Sequence, residues 1–170
     1  MNPSLAHTSG PALHSFAEFG TDWLVVAAIP AVALAVAVAL IVKGRETNPV
    51  ARFADGAARL TGLPGWAAAG AVTLLGYALP MAALGFYWDV AWHIDNGRDQ
   101  QLFTPSHVMI LVGLGGLIYA AGIAVLFASI DKAQTAMRWG FLHVPWSAVL
   151  LVALGIGGVT AFGFDAMWHE

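Results

Sequence analysis

Residues 89–107 read DVAWHIDNGRDQQLFTPSH and form a polar stretch between two long apolar segments. Asp89 and His93 are four residues apart, so on a helix their side chains share one face. The Thr-Pro-Ser sequence before His107 is typical of a helix start, with Thr as the N-cap and Pro at the first helical position. The stretch therefore predicts one helix that ends in Asp89 and His93, a short turn, and a second helix that begins with His107.

This arrangement would bring one carboxylate and two imidazoles together, which is a suitable ligand set for copper, zinc or iron. Each residue also has a structural interpretation. Asp89 could be an interfacial acid paired with Arg98, and His93 could lie among lipid headgroups without a metal. An acid deep in an apolar span costs about 2.5–3.5 kcal/mol, so such residues tend to be functional or paired. The combination favours a metal site formed by Asp89, His93 and His107.

The composition is that of an integral membrane protein. The chain has 170 residues, of which 59% are hydrophobic and only 10% are charged, and its mean hydropathy is +0.74. Soluble domains carry about 25% charged residues. Because each span needs about 20 apolar residues, the length suits about four spans. We expect an all-α, polytopic membrane helix bundle that forms a single transmembrane domain over residues 1–170.

The composition also excludes several kinds of site and partner. The chain has no cysteine, which rules out disulfides, thiolate nucleophiles and thiolate metal ligands. The net charge of −3 and the lack of a basic patch argue against nucleic acid as a partner. The first 20 residues have no Lys or Arg, so no signal peptide is expected. His7 and His14 in this segment are expected to be solvated.

Four apolar runs are long enough to cross a bilayer, and short loops separate them. The predicted spans are residues 22–42, 65–88, 107–130 and 144–164. A short surface helix is predicted in the first loop, over residues 52–60. Residues 131–143 are predicted to be a short loop.

The basic residues predict the orientation of these spans. Six of the seven lie in the first and third loops, which are therefore expected to face the cytoplasm. The N-terminus, residues 89–107 and the C-terminus then face outward from the plasma (inner) membrane, on the periplasmic side. Tryptophans near the predicted span ends agree with an aromatic belt.

The sequence contains an internal repeat. FYWDVAWH at residues 86–93 is similar to FGFDAMWH at residues 162–169. Asp165 and His169 are thereby predicted as a second pair of metal ligands. The chain is expected to form two tandem helical hairpins, over about residues 22–107 and 108–170. The second copy has no counterpart of His107, so we expect either a longer natural chain or a ligand from another residue or subunit.

The first motif resembles the C subunit of the copper membrane monooxygenases, the particulate methane and ammonia monooxygenase family. The matching elements are Asp89-Val-Ala-Trp92-His93, Arg98-Asp99 and Phe103-Thr-Pro-Ser-His107. The resemblance implies that Asp89, His93 and His107 bind copper on the outward face. The spacing between the two histidines is one residue longer than in the family, with Asn96-Gly97 as the expected place of the insertion.

The same resemblance extends to the second motif and to function. Asp165 and His169 resemble two ligands of the family's second copper site, with Asp in place of Asn. The implied activity is oxidation of a small apolar substrate by dioxygen, in a complex with other membrane subunits or as a homo-oligomer. Arg98 and Asp99 would then orient the histidines.

Three other functions remain open from the residues alone. The chain could be a non-catalytic membrane protein for copper storage, copper delivery or oxidase assembly. It could be a zinc-dependent membrane hydrolase, with Asp95 or Asp99 as the general base. It could also be a structural membrane subunit whose Asp and His residues only pair at the interface.

Overall fold

The computed structural model describes residues 49–97, 103–134 and 137–169, together with residues 28, 32 and 35. Residues 28, 32 and 35 are helical and exposed. The remainder of the predicted first span, residues 22–42, lies outside the described residues, as do His7, His14, Arg98 and Asp99.

Helix α1, Pro49–Thr61, is the short surface helix predicted in the first loop. Its buried face consists of alanines at helical spacing, Ala51, Ala54 and Ala57. The helix ends at Thr61, and the next residue, Gly62, has a positive φ of 70°, which suits the left-handed position after a helix C-terminus. This prediction is confirmed, with bounds slightly wider than expected.

A single long helix then runs over Gly65–Asn96. It consists of α2 (Gly65–Thr73), a π-helical turn (Leu74–Ala78) and α3 (Leu79–Asn96). The π-helical turn ends two residues before Pro80. Proline has no N–H, and in a regular helix its ring would crowd the carbonyl four residues earlier. The helix is therefore locally widened at this point and continues to Asn96.

Helix α4, Pro105–Ile130, begins as the sequence predicts. Thr104 is the N-cap, with φ −87° and ψ 162°, and its hydroxyl oxygen accepts a hydrogen bond from the His107 backbone N–H. Pro105 occupies the start of the helix, where its missing N–H costs nothing. His107 therefore lies in the first turn of α4, held in place by a capped helix end.

The segment predicted as a simple loop, residues 131–143, contains part of a β-hairpin, so the all-α expectation needs correction. Strand β1, Met137–Trp139, pairs antiparallel with β2, Leu142–Val144. Gly140 lies between the strands with φ 63°. The backbone N–H of His143 donates to the Ser129 hydroxyl at 2.9 Å, which joins the hairpin to the end of α4.

Helix α5, Trp146–His169, follows the hairpin and packs against α4. Within the described residues, α4 is central and contacts α2, α3, α5 and β2. Three helices are long and apolar enough to cross a membrane, namely Gly65–Asn96, Pro105–Ile130 and Trp146–Phe164. The chain is therefore a mostly helical protein with the character of a membrane bundle.

Small residues let α3 and α4 approach closely just inside the polar stretch. A Cβ atom added at Gly85 would lie 2.7 Å from the backbone nitrogen of Ile110, so α4 leaves no space for a side chain there. Gly113 faces Ala82 in the same tight manner. Such contacts are typical of packed membrane helices. They fix the distance between the two helices one turn from Asp89.

Candidate metal site

The structure brings the side chains of Asp89, His93 and His107 together, as the sequence predicts. Each offers one ligand atom, and these atoms all lie within 4.8 Å of one another. His107 Nε2 lies 2.9 Å from Asp89 Oδ1, and His93 Nε2 lies 3.6 Å from Asp89 Oδ2. Within the described residues, no other group of three or more His, Asp or Glu side chains is close enough to share a metal ion.

The distance between His93 and Asp89 fits a small metal ion. Nitrogen and oxygen ligands lie about 2.0–2.2 Å from zinc, so two ligands of one tetrahedral ion are about 3.3–3.6 Å apart. The 3.6 Å from His93 Nε2 to Asp89 Oδ2 lies in that range. The 2.9 Å from His107 Nε2 to Asp89 Oδ1 is a hydrogen-bond distance. Three protein ligands leave a coordination position open, as in sites that bind a water molecule or a substrate.

Burial differs among the three candidate ligands. The side chain of His107 is 3% exposed, that of Asp89 is 15% exposed and that of His93 is 28% exposed. The His107 ring therefore forms the inner wall of the site, and the His93 ring lies on its open side. An ion or ligand from solvent would reach the site past His93.

The tautomer of His93 follows from its hydrogen bond. His93 Nδ1 lies 3.0 Å from the carbonyl oxygen of Gly97. A carbonyl oxygen can only accept, so Nδ1 carries the hydrogen and Nε2 keeps its lone pair for a metal. Gly97 supports this contact with φ 75° and ψ −167°, a conformation almost confined to glycine.

Asp89 is held by α4 through a second buried group. The Ser106 hydroxyl donates to Asp89 Oδ1 at 2.9 Å, and the Thr104 hydroxyl lies 3.0 Å from the Ser106 hydroxyl. Sequence reasoning did not assign either hydroxyl a role at the metal site. The sequence feature that could have indicated this role is that both residues lie just before His107, a predicted ligand, at a predicted helix start.

An aromatic residue of α5 completes the inner wall. The ring of Phe162 meets the His107 ring edge-on, with centroids 5.8 Å apart and an interplanar angle of 83°. Phe162 also lies 6.4 Å from the ring of Phe103. Phe162 belongs to the second copy of the repeat, so α5 contributes an apolar contact beside His107 of the first motif.

The other predicted site residues have different outcomes. Asp165 and His169 lie in the helical main chain at the end of α5, and their side chains lie outside the described part. Asp95 is exposed and follows His93 by two residues, which places it about 200° around the helix. Asp95 therefore points away from the site and does not suit the role of its general base.

Comparison of the chain with known protein families, curated proteins and solved structures finds no match.

Proposed function

We propose that this chain is a copper-binding integral membrane protein in which Asp89, His93 and His107 hold the metal. The observation that carries the proposal is the convergence of these three side chains from two helices, with His93 Nε2 and both Asp89 oxygens directed inward. In addition, the Gly97 carbonyl orients the His93 ring, and the Ser106 hydroxyl orients the Asp89 carboxylate. Supporting groups of this kind are typical of metal sites.

Copper is favoured over other metals by the donor set and by the motif. The ligands are two imidazoles and a carboxylate, which suit Cu(II) and zinc, and copper is generally bound more tightly at such sites. The elements Asp89–His93 and Phe103–His107 resemble the copper motif of membrane monooxygenases. Together these features make copper the first metal to test and zinc the alternative.

We place the site at the outward face of the plasma membrane. Asp89 lies near one end of the apolar helix Gly65–Asn96, and the opposite end of the bundle carries most of the basic residues. Positively charged loops favour the cytoplasmic side. The metal site then faces the periplasm, where copper would arrive from solvent past His93.

A catalytic role is the further part of this proposal. Copper bound here would supply one-electron redox chemistry for oxidising a small apolar substrate with dioxygen. The residues of the chain would bind and orient the substrate. The rings of Phe162 and His107 form the inner wall of the site, and His93 borders its open side. A substrate dissolved in lipid can reach such a wall between membrane helices.

Other membrane subunits or further copies of the chain would complete the assembly. Asp165 and His169 are proposed as a second pair of copper ligands, which requires a third ligand from elsewhere.

The decisive experiment is the metal content of the protein purified in detergent and measured by elemental mass spectrometry. The wild-type chain is expected to hold stoichiometric copper, and the double variant His93→Ala, His107→Ala is expected to hold none. His143→Ala is the matched control, because His143 lies on the β-hairpin and bonds to the Ala133 carbonyl. Equal copper in all three proteins, or none in the wild type, contradicts the proposal, and stoichiometric zinc favours a zinc site.

A further inference from the structure

We infer that Ser106 and Thr104 are positioning residues that fix Asp89 and leave its Oδ2 atom as the metal-binding oxygen. The inference rests on the proposed metal site and concerns how the chain holds the carboxylate. It follows from the direction of three consecutive hydrogen bonds between the start of α4 and the end of α3.

The donor and acceptor of each bond can be assigned. An ionised carboxylate can only accept, so the single hydroxyl hydrogen of Ser106 is directed to Asp89 Oδ1, at 2.9 Å. Ser106 must then accept from the Thr104 hydroxyl, at 3.0 Å. The Thr104 oxygen in turn accepts from the backbone N–H of His107, at 3.3 Å. The chain of bonds therefore runs in one direction, from the His107 backbone to the Asp89 carboxylate.

Burial makes this chain of bonds hard to replace. Thr104 is 4% exposed, Ser106 is 5% exposed and His107 is 2% exposed. Water therefore has little access to either hydroxyl, and a lost partner would leave a buried polar group unsatisfied. Thr104 and Ser106, at the start of α4, thus set the rotation of the Asp89 side chain on α3.

The two oxygens of Asp89 have different surroundings as a result. Oδ1 accepts from Ser106 and also lies 2.9 Å from His107 Nε2. Oδ2 faces His93 Nε2 at 3.6 Å, on the more exposed side. When a metal replaces the proton on His107 Nε2, Ser106 still holds Asp89 Oδ1. Asp89 Oδ2 then remains directed to the space between Asp89 and His93.

The test is the affinity of the purified chain for Cu(II), measured by competition with a chelator, together with the Cu(II) electron paramagnetic resonance spectrum. Ser106→Ala is expected to lower the affinity by about 10–100-fold, as removal of other supporting groups at metal sites does. The spectrum is expected to change as well, because the carboxylate can then rotate. Ser106→Thr keeps the hydroxyl and is expected to restore most of the affinity and the spectrum.

A second pair of variants covers the case in which Ser106→Ala does not fold. Thr104→Ser keeps both the cap and the donor, whereas Thr104→Val keeps the shape and removes both. We expect wild-type affinity for Thr104→Ser and a several-fold loss for Thr104→Val. Equal affinity and equal spectra across folded Ser106→Ala, Thr104→Val and wild-type proteins would overturn the inference. A wild-type chain that binds no copper would instead contradict the proposed function.

Discussion

At the scale of single residues, Asp89 is held from two sides while the helix that carries it continues for two more turns. Its Oδ1 atom faces Ser106 and His107, and its Oδ2 atom faces His93. The i, i+4 spacing and the Thr-Pro helix start were sufficient to predict that these three side chains converge. The role of Ser106 was not predictable, because its hydrogen bond joins two helices and depends on how they pack.

Gly97 provides a prediction at the same scale. Its φ of 75° and ψ of −167° place it in a region that costs other residues about 1–3 kcal/mol. Gly97→Ala is therefore expected to lower the free energy of unfolding by about that amount. It should also weaken copper binding, because the carbonyl that accepts from His93 Nδ1 must move. Thermal unfolding and chelator competition would measure the two effects.

The matched control for Gly97→Ala is Gly115→Ala. Gly115 lies within α4, and a Cβ atom added there has no neighbour within 4 Å. Alanine favours a helix over glycine by about 1 kcal/mol, so this variant should be as stable as the wild type or more stable. A Gly97→Ala protein that matches Gly115→Ala in both stability and copper affinity would show that the special conformation of Gly97 is not needed.

At the scale of elements, the crossing of α3 and α4 determines where the ligands meet. The sequence predicted these helices from their apolar runs and from the Thr-Pro helix start. It did not predict the π-helical turn Leu74–Ala78, since a proline alone does not show whether a helix will bend, break or widen. It also missed the hairpin of β1 and β2, whose three-residue strands are too short to give an alternating pattern.

The close approach at Gly85 gives a prediction for this crossing. Gly85→Leu is expected to push α3 and α4 apart, because Ile110 occupies the space that the side chain needs. The separation would move Asp89 away from His107 and should reduce copper binding at least 10-fold, since ligand geometry is set by the packed helices. Gly115→Leu adds the same side chain where the structure leaves room and should keep copper. Loss of copper in both variants, or in neither, would argue against this role for the crossing.

At the scale of the whole molecule, the described bundle has two chemically different ends. Asp89 and His107 lie at one end of α4, and at the other end α1 packs beside Ile123 and Phe127. The hairpin is joined to that second end through Ser129. Arg52, Arg59, Lys132 and Arg138 belong to α1 and to the segment around the hairpin, so the structure gathers these basic residues at the end opposite Asp89 and His107. The sequence predicted this separation from the loop charges, whereas the first of the four expected spans lies largely outside the described residues.

The two ends predict a labelling pattern across the membrane. Because this sequence has no cysteine, single-cysteine variants can be labelled without background. Asp95→Cys, exposed at the same end of α3 as His93, should react with a membrane-impermeant maleimide in intact spheroplasts. Phe141→Cys, at a hairpin position that is 86% exposed, should react only after the membrane is opened. The reverse pattern would place the site on the cytoplasmic side and contradict the proposed orientation. Labelling of both positions in intact spheroplasts would contradict the bundle's crossing of the membrane, because α4 would then have both ends on one side.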